Sequence, residues 1–153
     1  MIFFIPFPIK AKYLLPGMIA IEMFLDKEKN IFVNEMAPRP HNSGHHTIEA
    51  CYTSQYEQLL RILCELPLGS TRLIKPAVML NILGSENVVG EYFLDGIDEL
   101  MKTEGVYIHL YNKKETRPMR KLGHITILAD TVDEVKQKAE KVSKMFTISP
   151  MKK

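Results

Sequence analysis

Two apolar runs separated by five polar residues constrain this chain more than any other feature. Met18 to Leu25 (MIAIEMFL) and Ile31 to Met36 (IFVNEM) are built from β-branched and large apolar side chains, and the DKEKN between them is turn-prone. The pair predicts a β-hairpin. Each strand carries one acid, Glu22 and Glu35, in otherwise apolar company. Side chains alternate faces along a strand, so register decides whether the two carboxylates meet. A five-residue loop over 26–30 pairs position 22 with 34 and turns Glu35 to the other face. A bulge or a longer loop is needed to set 22 against 35. If they do meet, like charges directly opposite destabilise the sheet, and a divalent cation resolves the conflict. Hard cations such as magnesium take oxygen ligands of this kind, one or two carboxylates together with nucleotide phosphates. The plainer reading is two strand glutamates facing solvent.

The segment after the hairpin favours a site. APRPHNSG, from Ala37 to Gly44, cannot be regular structure, because Pro38 and Pro40 lack backbone donors and Asn-Ser-Gly favours turns. This stiffened loop carries Arg39, His41, Asn42, Ser43 and His45. A guanidinium suits a carboxylate or phosphate bidentately, and imidazole and amide groups beside it orient a small oxyanion. Loops at strand ends are where sites are commonly built. His41, His45 and His46 also have a spacing that two or more zinc-binding imidazoles could share, but no further ligand is identifiable.

Ser54, three residues before Glu57, reads as a capping box opening a helix, on which Tyr56, Leu59, Leu60 and Leu63 fall on one face, and Pro67 and Gly69 end it. Beyond it, short apolar runs at Ala77 to Leu83, Val88 to Leu94, Val106 to Tyr111 and His124 to Ala129 predict a small, mostly antiparallel β unit. A second capping box, Thr131 with Glu134, opens a last helix with Val132, Val135, Ala139, Val142 and Phe146 along one stripe. The boundary between the two textures falls between Pro67 and Lys75.

The length of 153 residues allows one domain or two small ones. A net charge of +2 is too small for a nucleic-acid footprint, so an anionic partner must be bound locally. The densest cationic stretch is Lys113, Lys114, Arg117, Arg120 and Lys121, with Glu115 the single acid among them. It suits a sugar phosphate, or it is a solvated turn. Cys51 and Cys64 match neither a redox pair nor a metal knuckle and are read as reduced core thiols in a reducing cytosol. The opening MIFFIPFPIK is apolar but interrupted by Pro6 and Pro8 and too short for a membrane span. The expectation is a soluble, cytoplasmic chain without a membrane or nucleic-acid partner.

The string VNEMAPRPHNSGHHTIEAC resembles the signature of the carboxyaminoimidazole ribonucleotide synthase family, ATP-grasp ligases of purine biosynthesis that form the ATPase subunit of phosphoribosylaminoimidazole carboxylase. The resemblance extends through GMIAIEMFL, LPLGSTRLIKPAVMLNILG and VYIHLYNKKETRPMRKLGHITIL, from about Pro16 to about Leu128. It implies an α+β chain: residues 1–66 as the C-terminal part of an ATP-grasp domain, with 1–15 atypical, and 67–153 as a small β-rich C-terminal domain ending in a helix.

The resemblance also implies roles. Glu22 and Glu35 correspond to ligands of the magnesium ions that bridge ATP phosphates, and Asn34 with Glu35 to residues at the nucleotide. Arg39, His41 and Asn42 correspond to residues associated with bicarbonate or carboxyphosphate. Lys113, with Arg117, Arg120 and Lys121, corresponds to the site of 5-aminoimidazole ribonucleotide. The implied reaction is ATP- and bicarbonate-dependent carboxylation of that ribonucleotide. The family's N-terminal domain and most of its ATP-binding lobes have no counterpart here, so the expectation is a chain inactive alone, whether a remnant, an interaction module or half of a split enzyme. Its uncovered apolar surface should drive it to a homodimer or a partner chain. Two departures stand in the basic stretch: Met119 and Asn112 occupy positions where glycine is usual, and methionine would strain the turn if its φ is positive.

Overall fold

The computed structural model describes residues 2–9 and 17–151. The chain divides into two compact units, Met1–Ile74 and Lys75–Lys153.

In the first unit, strands β1 (Ile2–Ile9), β2 (Gly17–Leu25) and β3 (Ile31–Ala37) form an antiparallel sheet in that order. β1 is an element that the sequence does not announce. Its two prolines are two residues apart, so both missing donors fall on the same side of the strand, as an edge strand tolerates. Residues 1 and 10–15, the rest of the segment read as atypical, lie outside the described residues.

The hairpin is the expected one, and its register contains the needed irregularity. Leu25 faces Ile31, Phe24 faces Phe32 and Met23 faces Val33; the register then shifts, so that Glu22 faces Glu35 and Ile21 faces Met36. Asn34 is the extra residue, a β-bulge. The turn is tied by the Asp26 carboxylate, which accepts from the Asn30 backbone N–H at 2.7 Å and its amide at 2.9 Å.

A 3₁₀ turn (Asn42–Gly44) and helices α1 (Thr47–Ala50) and α2 (Gln55–Leu63) come next. Ser54 caps α2 as expected, accepting from Glu57 N–H at 3.2 Å, while the Glu57 carboxylate takes two bonds from Arg61. The apolar stripe of the helix is mostly open, with only Leu59 half-buried. Tyr56, Leu60 and Leu63 are exposed, and the residues turned inward are Gln55 and Gln58. Each buried carboxamide is fully engaged with backbone: Gln58 donates to Gly69 O at 2.8 Å and accepts from Gly69 N–H at 3.0 Å. Two backbone hydrogen bonds per amide remove the cost of burying it. Cys51 is half-buried, and burial pushes its thiol up; Cys64, expected as a core thiol, is exposed, because it lies just past the last turn of α2.

In the second unit, β4 (Ala77–Leu83), β8 (Lys121–Leu128) and β6 (Val106–Leu110) form one antiparallel sheet with β8 central. β5 (Gly90–Asp95) lies between β7 (Glu115–Thr116) and β9 (Thr147–Pro150) in a second. Helices α3 (Ile97–Met101) and α4 (Val132–Ser143) complete it. Ile82, Leu100, Leu122, Ile125, Ile127, Val135 and Val142 form the core. The Thr131–Glu134 capping box is present in both directions, at 3.2 and 3.0 Å. Val135, Ala139 and Val142 face inward as the stripe predicts, whereas Val132 in the first turn is exposed. α3 and β9 are elements that the apolar patterning does not predict. The chain passes between β5 and α3 at Gly96, with φ of 85°, where a Cβ would lie 1.9 Å from Met145 O. Only glycine fits there. Among the described residues no helix is long and apolar enough to cross a membrane.

Candidate functional site

The bulge at Asn34 decides the chemistry of the first unit. With Glu22 and Glu35 directly opposite, their carboxylates share one face of the sheet, the arrangement that regular pairing denies. Asn34 donates its amide to Glu22 Oε1 at 2.5 Å. The His41 ring reaches both acids, with Nδ1 3.7 Å from Glu22 Oε2 and Nε2 3.4 Å from Glu35 Oε2. Glu22 and His41 are mostly covered, at 14% and 12% side-chain exposure, and Glu35 is open at 52%, so the pair has a solvent side from which a ligand can approach. The oxygen donors Glu22, Glu35 and Asn34 fit a hard divalent cation that completes its shell with phosphate and water.

The 38–46 loop owes its shape to hydrogen bonds within itself and to α2. His41 Nδ1 lies 2.8 Å from Ser43 Oγ, and His46 Nδ1 lies 2.8 Å from Ser43 O. Burial holds the His46 imidazole below its usual range. Gln55 accepts from His41 N–H at 2.9 Å, donates to His41 O at 2.9 Å, and its amide lies 3.0 Å from His45 Nδ1. Tyr56 Oη is also 3.0 Å from that nitrogen, and Thr47 Oγ1 donates to Gly44 O at 2.6 Å while accepting from Gln55 N–H at 2.9 Å. Asn42 opens the 3₁₀ turn, its carbonyl accepting from His45 N–H at 3.1 Å. Arg39 is exposed and donates to Pro40 O at 3.1 Å. His41 and His46 turn to Ser43, and His45 to Gln55 and Tyr56; among the described residues no group of three or more His, Cys, Asp or Glu is placed to hold a metal ion. Gln55 and Thr47 are the members of this network that sequence reasoning misses. A glutamine in the first turn of a helix carries no local signal of burial.

The basic residues belong to the second unit, on the segment that joins β6 to β8 and at the first residue of β8, Lys121. Lys113, Arg117 and Lys121 are exposed; Arg120 is half-buried and donates to Glu115 O at 3.0 Å. The segment is pinned at both ends. At its base, Tyr111 N–H donates to Leu122 O at 2.8 Å, and Tyr111 Oη lies 2.9 Å from Nδ1 of His124, whose ring stacks on His109 at 4.4 Å. At its tip, Gly84 N–H donates to Arg120 O at 2.8 Å and Gly84 O accepts from Met119 N–H at 3.0 Å. A Cβ on Gly84 would stand 2.1 Å from Arg117 O, so the turn has no room to shift there. Asn112 and Met119 both have positive φ, 56° and 60°.

Comparison with known proteins finds a relative at each unit. Residues 9–56 match the ATP-grasp domain family, and residues 77–138 match the phosphoribosylaminoimidazole carboxylase C-terminal domain. The N5-carboxyaminoimidazole ribonucleotide synthase of Bacillus subtilis is 48% identical over 120 residues, 78% of this chain and 30% of that protein. The crystal structure of N5-carboxyaminoimidazole ribonucleotide synthetase from Thermotoga maritima superposes with a TM-score of 0.81 at 51% identity, covering 88% of this chain and 38% of that one. The Aspergillus clavatus N5-carboxyaminoimidazole synthase, solved with ADP and 5-aminoimidazole ribonucleotide, gives a TM-score of 0.71 at 35% identity over 84% of this chain and 34% of its own. The chain spans about a third of the length of the relatives it matches.

Proposed function

We infer, from a chain that belongs to the N5-carboxyaminoimidazole ribonucleotide synthase family of ATP-grasp proteins, that its residues serve the carboxylation of 5-aminoimidazole ribonucleotide at the expense of ATP. The observation that carries this reading is the bulge-set pairing of Glu22 with Glu35 beneath His41. A strand pair gains nothing structurally from opposing two carboxylates, so the arrangement supports a ligand role.

In this reading residues 1–66 are the end of an ATP-grasp domain and 67–153 lead into and form a C-terminal domain, with 67–74 packed on the first compact unit. Glu22 and Glu35 would hold magnesium, which supplies positive charge to the ATP phosphates. Asn34 keeps the Glu22 carboxylate oriented and lies at the nucleotide. Arg39, His41 and Asn42 bind bicarbonate and then carboxyphosphate, formed when a bicarbonate oxygen attacks the γ-phosphorus and ADP departs. Fixed donors around the forming anion lower the barrier, and keeping water out preserves the labile product. Carboxyphosphate then releases phosphate and passes its carbon to the 5-amino group, which loses a proton. Lys113, Arg117, Arg120 and Lys121 take the ribonucleotide phosphate through charge-assisted hydrogen bonds. The remaining ATP contacts come from regions corresponding to the other two thirds of the relatives, in a cytoplasmic setting. Association with a second copy or a partner chain is supported by Ile31, Val33 and Met36, all exposed on one face of the sheet.

The test mixes the 153-residue chain with ATP, magnesium, bicarbonate and 5-aminoimidazole ribonucleotide, alone and with the N-terminal two thirds of the Bacillus subtilis relative. Ribonucleotide-dependent ADP release is expected only in the mixture, and its loss in Glu35→Gln. Equal release from the N-terminal part alone would refute the reading.

A further inference from the structure

Gln55 carries none of the ligand roles proposed above, yet its side chain bonds the loop that stands over the acid pair at three points. It is 1% exposed and belongs to α2, whereas the groups it binds belong to the loop. Its carboxamide meets His41 as a neighbouring strand would, accepting the N–H and donating to the C=O, each at 2.9 Å. The same amide lies 3.0 Å from His45 Nδ1, and its backbone N–H donates to Thr47 Oγ1 at 2.9 Å. Pro38 and Pro40 limit what the loop can bond through its own backbone, so an external partner has to fix it.

The neighbouring Gln58 performs the same pairing on a different loop, taking both the N–H and the C=O of Gly69. One helix edge therefore carries two amide clips, at positions three apart on one face. They differ in what they hold. The Gln58 clip holds Gly69, on a segment that carries none of the proposed ligands. The Gln55 clip holds the residue whose ring sits 3.4 and 3.7 Å from the two acids.

We propose that Gln55 is a positioning residue, which fixes the backbone of His41 so that its imidazole stands over Glu22 and Glu35 and the anion-binding loop is ordered before any ligand arrives. This rests on the reading of His41 and its neighbours as a bicarbonate site. Pre-ordering matters because an oxyanion gains from donors only where they are already aimed, and a displacement near 1 Å can cost orders of magnitude.

Gln58 supplies the matched control. Gln55→Leu and Gln58→Leu each remove a buried carboxamide with two backbone partners, so the losses of stability should be similar. Gln55→Glu keeps the volume and the acceptor but loses the donor to His41 O, which separates packing from hydrogen bonding. The full chain, labelled with nitrogen-15, is titrated with bicarbonate while the Arg39, His41 and Asn42 amides and the His41 ring nitrogens are followed. Gln55→Leu and Gln55→Glu are expected to weaken the bicarbonate response roughly tenfold or more and to move the His41 ring signals. Gln58→Leu should leave both within about twofold of the parent. Equal weakening in the Gln55 and Gln58 variants, or an unchanged response in both Gln55 variants, would overturn the proposal. If the parent itself ignores bicarbonate, the bicarbonate reading fails separately. The His41 ring signals then decide, a shift in the Gln55 variants alone supporting the positioning role and a shift in all or none refuting it.

Discussion

Replacing Met119 by glycine should stabilise the second unit, and the size of the gain is set by the turn it occupies. Met119 has φ of 60° and is 68% exposed, so its side chain contributes little packing to offset the conformation. The turn cannot relax out of it. Met119 N–H is bonded to Gly84 O at 3.0 Å, the next residue's carbonyl accepts from Gly84 N–H at 2.8 Å, and Gly84 packs so closely on Arg117 that a Cβ there would stand 2.1 Å from Arg117 O. A left-handed conformation costs a side-chain-bearing residue about 1–2 kcal/mol. Glycine removes that cost but gives the unfolded chain back about 0.4–1 kcal/mol of entropy. The net gain is about 0.8 kcal/mol at the midpoints of these ranges, a rise of roughly 3–6 °C in the melting temperature of a unit this size. Differential scanning calorimetry of the parent, Met119→Gly, Met119→Ala and Asn112→Gly measures it. Met119→Ala keeps a Cβ and should change little, and Asn112→Gly should gain less, since asparagine tolerates this region. A melting temperature that stays level or falls in Met119→Gly, or rises equally in Met119→Ala, would refute the reasoning.

Other expectations can be checked in the same way. Glu35→Gln removes one of two opposed charges and should stabilise metal-free protein in urea unfolding by a few tenths of a kcal/mol, Glu35 being half-exposed, while abolishing magnesium binding. His46, held below its ordinary value of 6.5 chiefly by burial, resists protonation in the folded state, so the unfolded chain takes up the proton first. Its effect on stability is absent above 6.5 and grows unfavourable as pH falls towards the folded value; urea unfolding should show that slope, and His46→Leu should flatten it. Val33→Lys with Met36→Lys should reduce self-association measured by light scattering, since both side chains are more than half exposed.

Strands and helix starts are legible in the sequence where local chemistry is decisive. Ser54 and Thr131 cap their helices as their hydroxyls predict, and the alternation of apolar runs places β4, β5, β6 and β8. The sequence also poses the right question of Glu22 and Glu35, but the answer lies in a bulge, which costs a ladder bond and leaves no composition signal at Asn34. The orientation of α2 is less legible still. Apolar periodicity groups Tyr56, Leu59, Leu60 and Leu63 on one face, of which only Leu59 is half-buried, whereas the fully buried positions of the helix are Gln55 and Gln58. Their partners are backbone groups of distant loops, and no local pattern announces those. Met119 is legible only as a question about φ, which the backbone answers at 60°.

The metal reading of the first unit depends on the bulge making Glu22 and Glu35 one cation site. Titrating the chain with manganese as a paramagnetic stand-in for magnesium, and reading the broadening of amide signals, puts that pairing to the test. Saturable broadening centred on Glu22, Asn34 and Glu35, displaced by excess magnesium and lost in both Glu22→Gln and Glu35→Gln, is the predicted result. Broadening that persists in both variants, or that centres elsewhere on the chain, would contradict it.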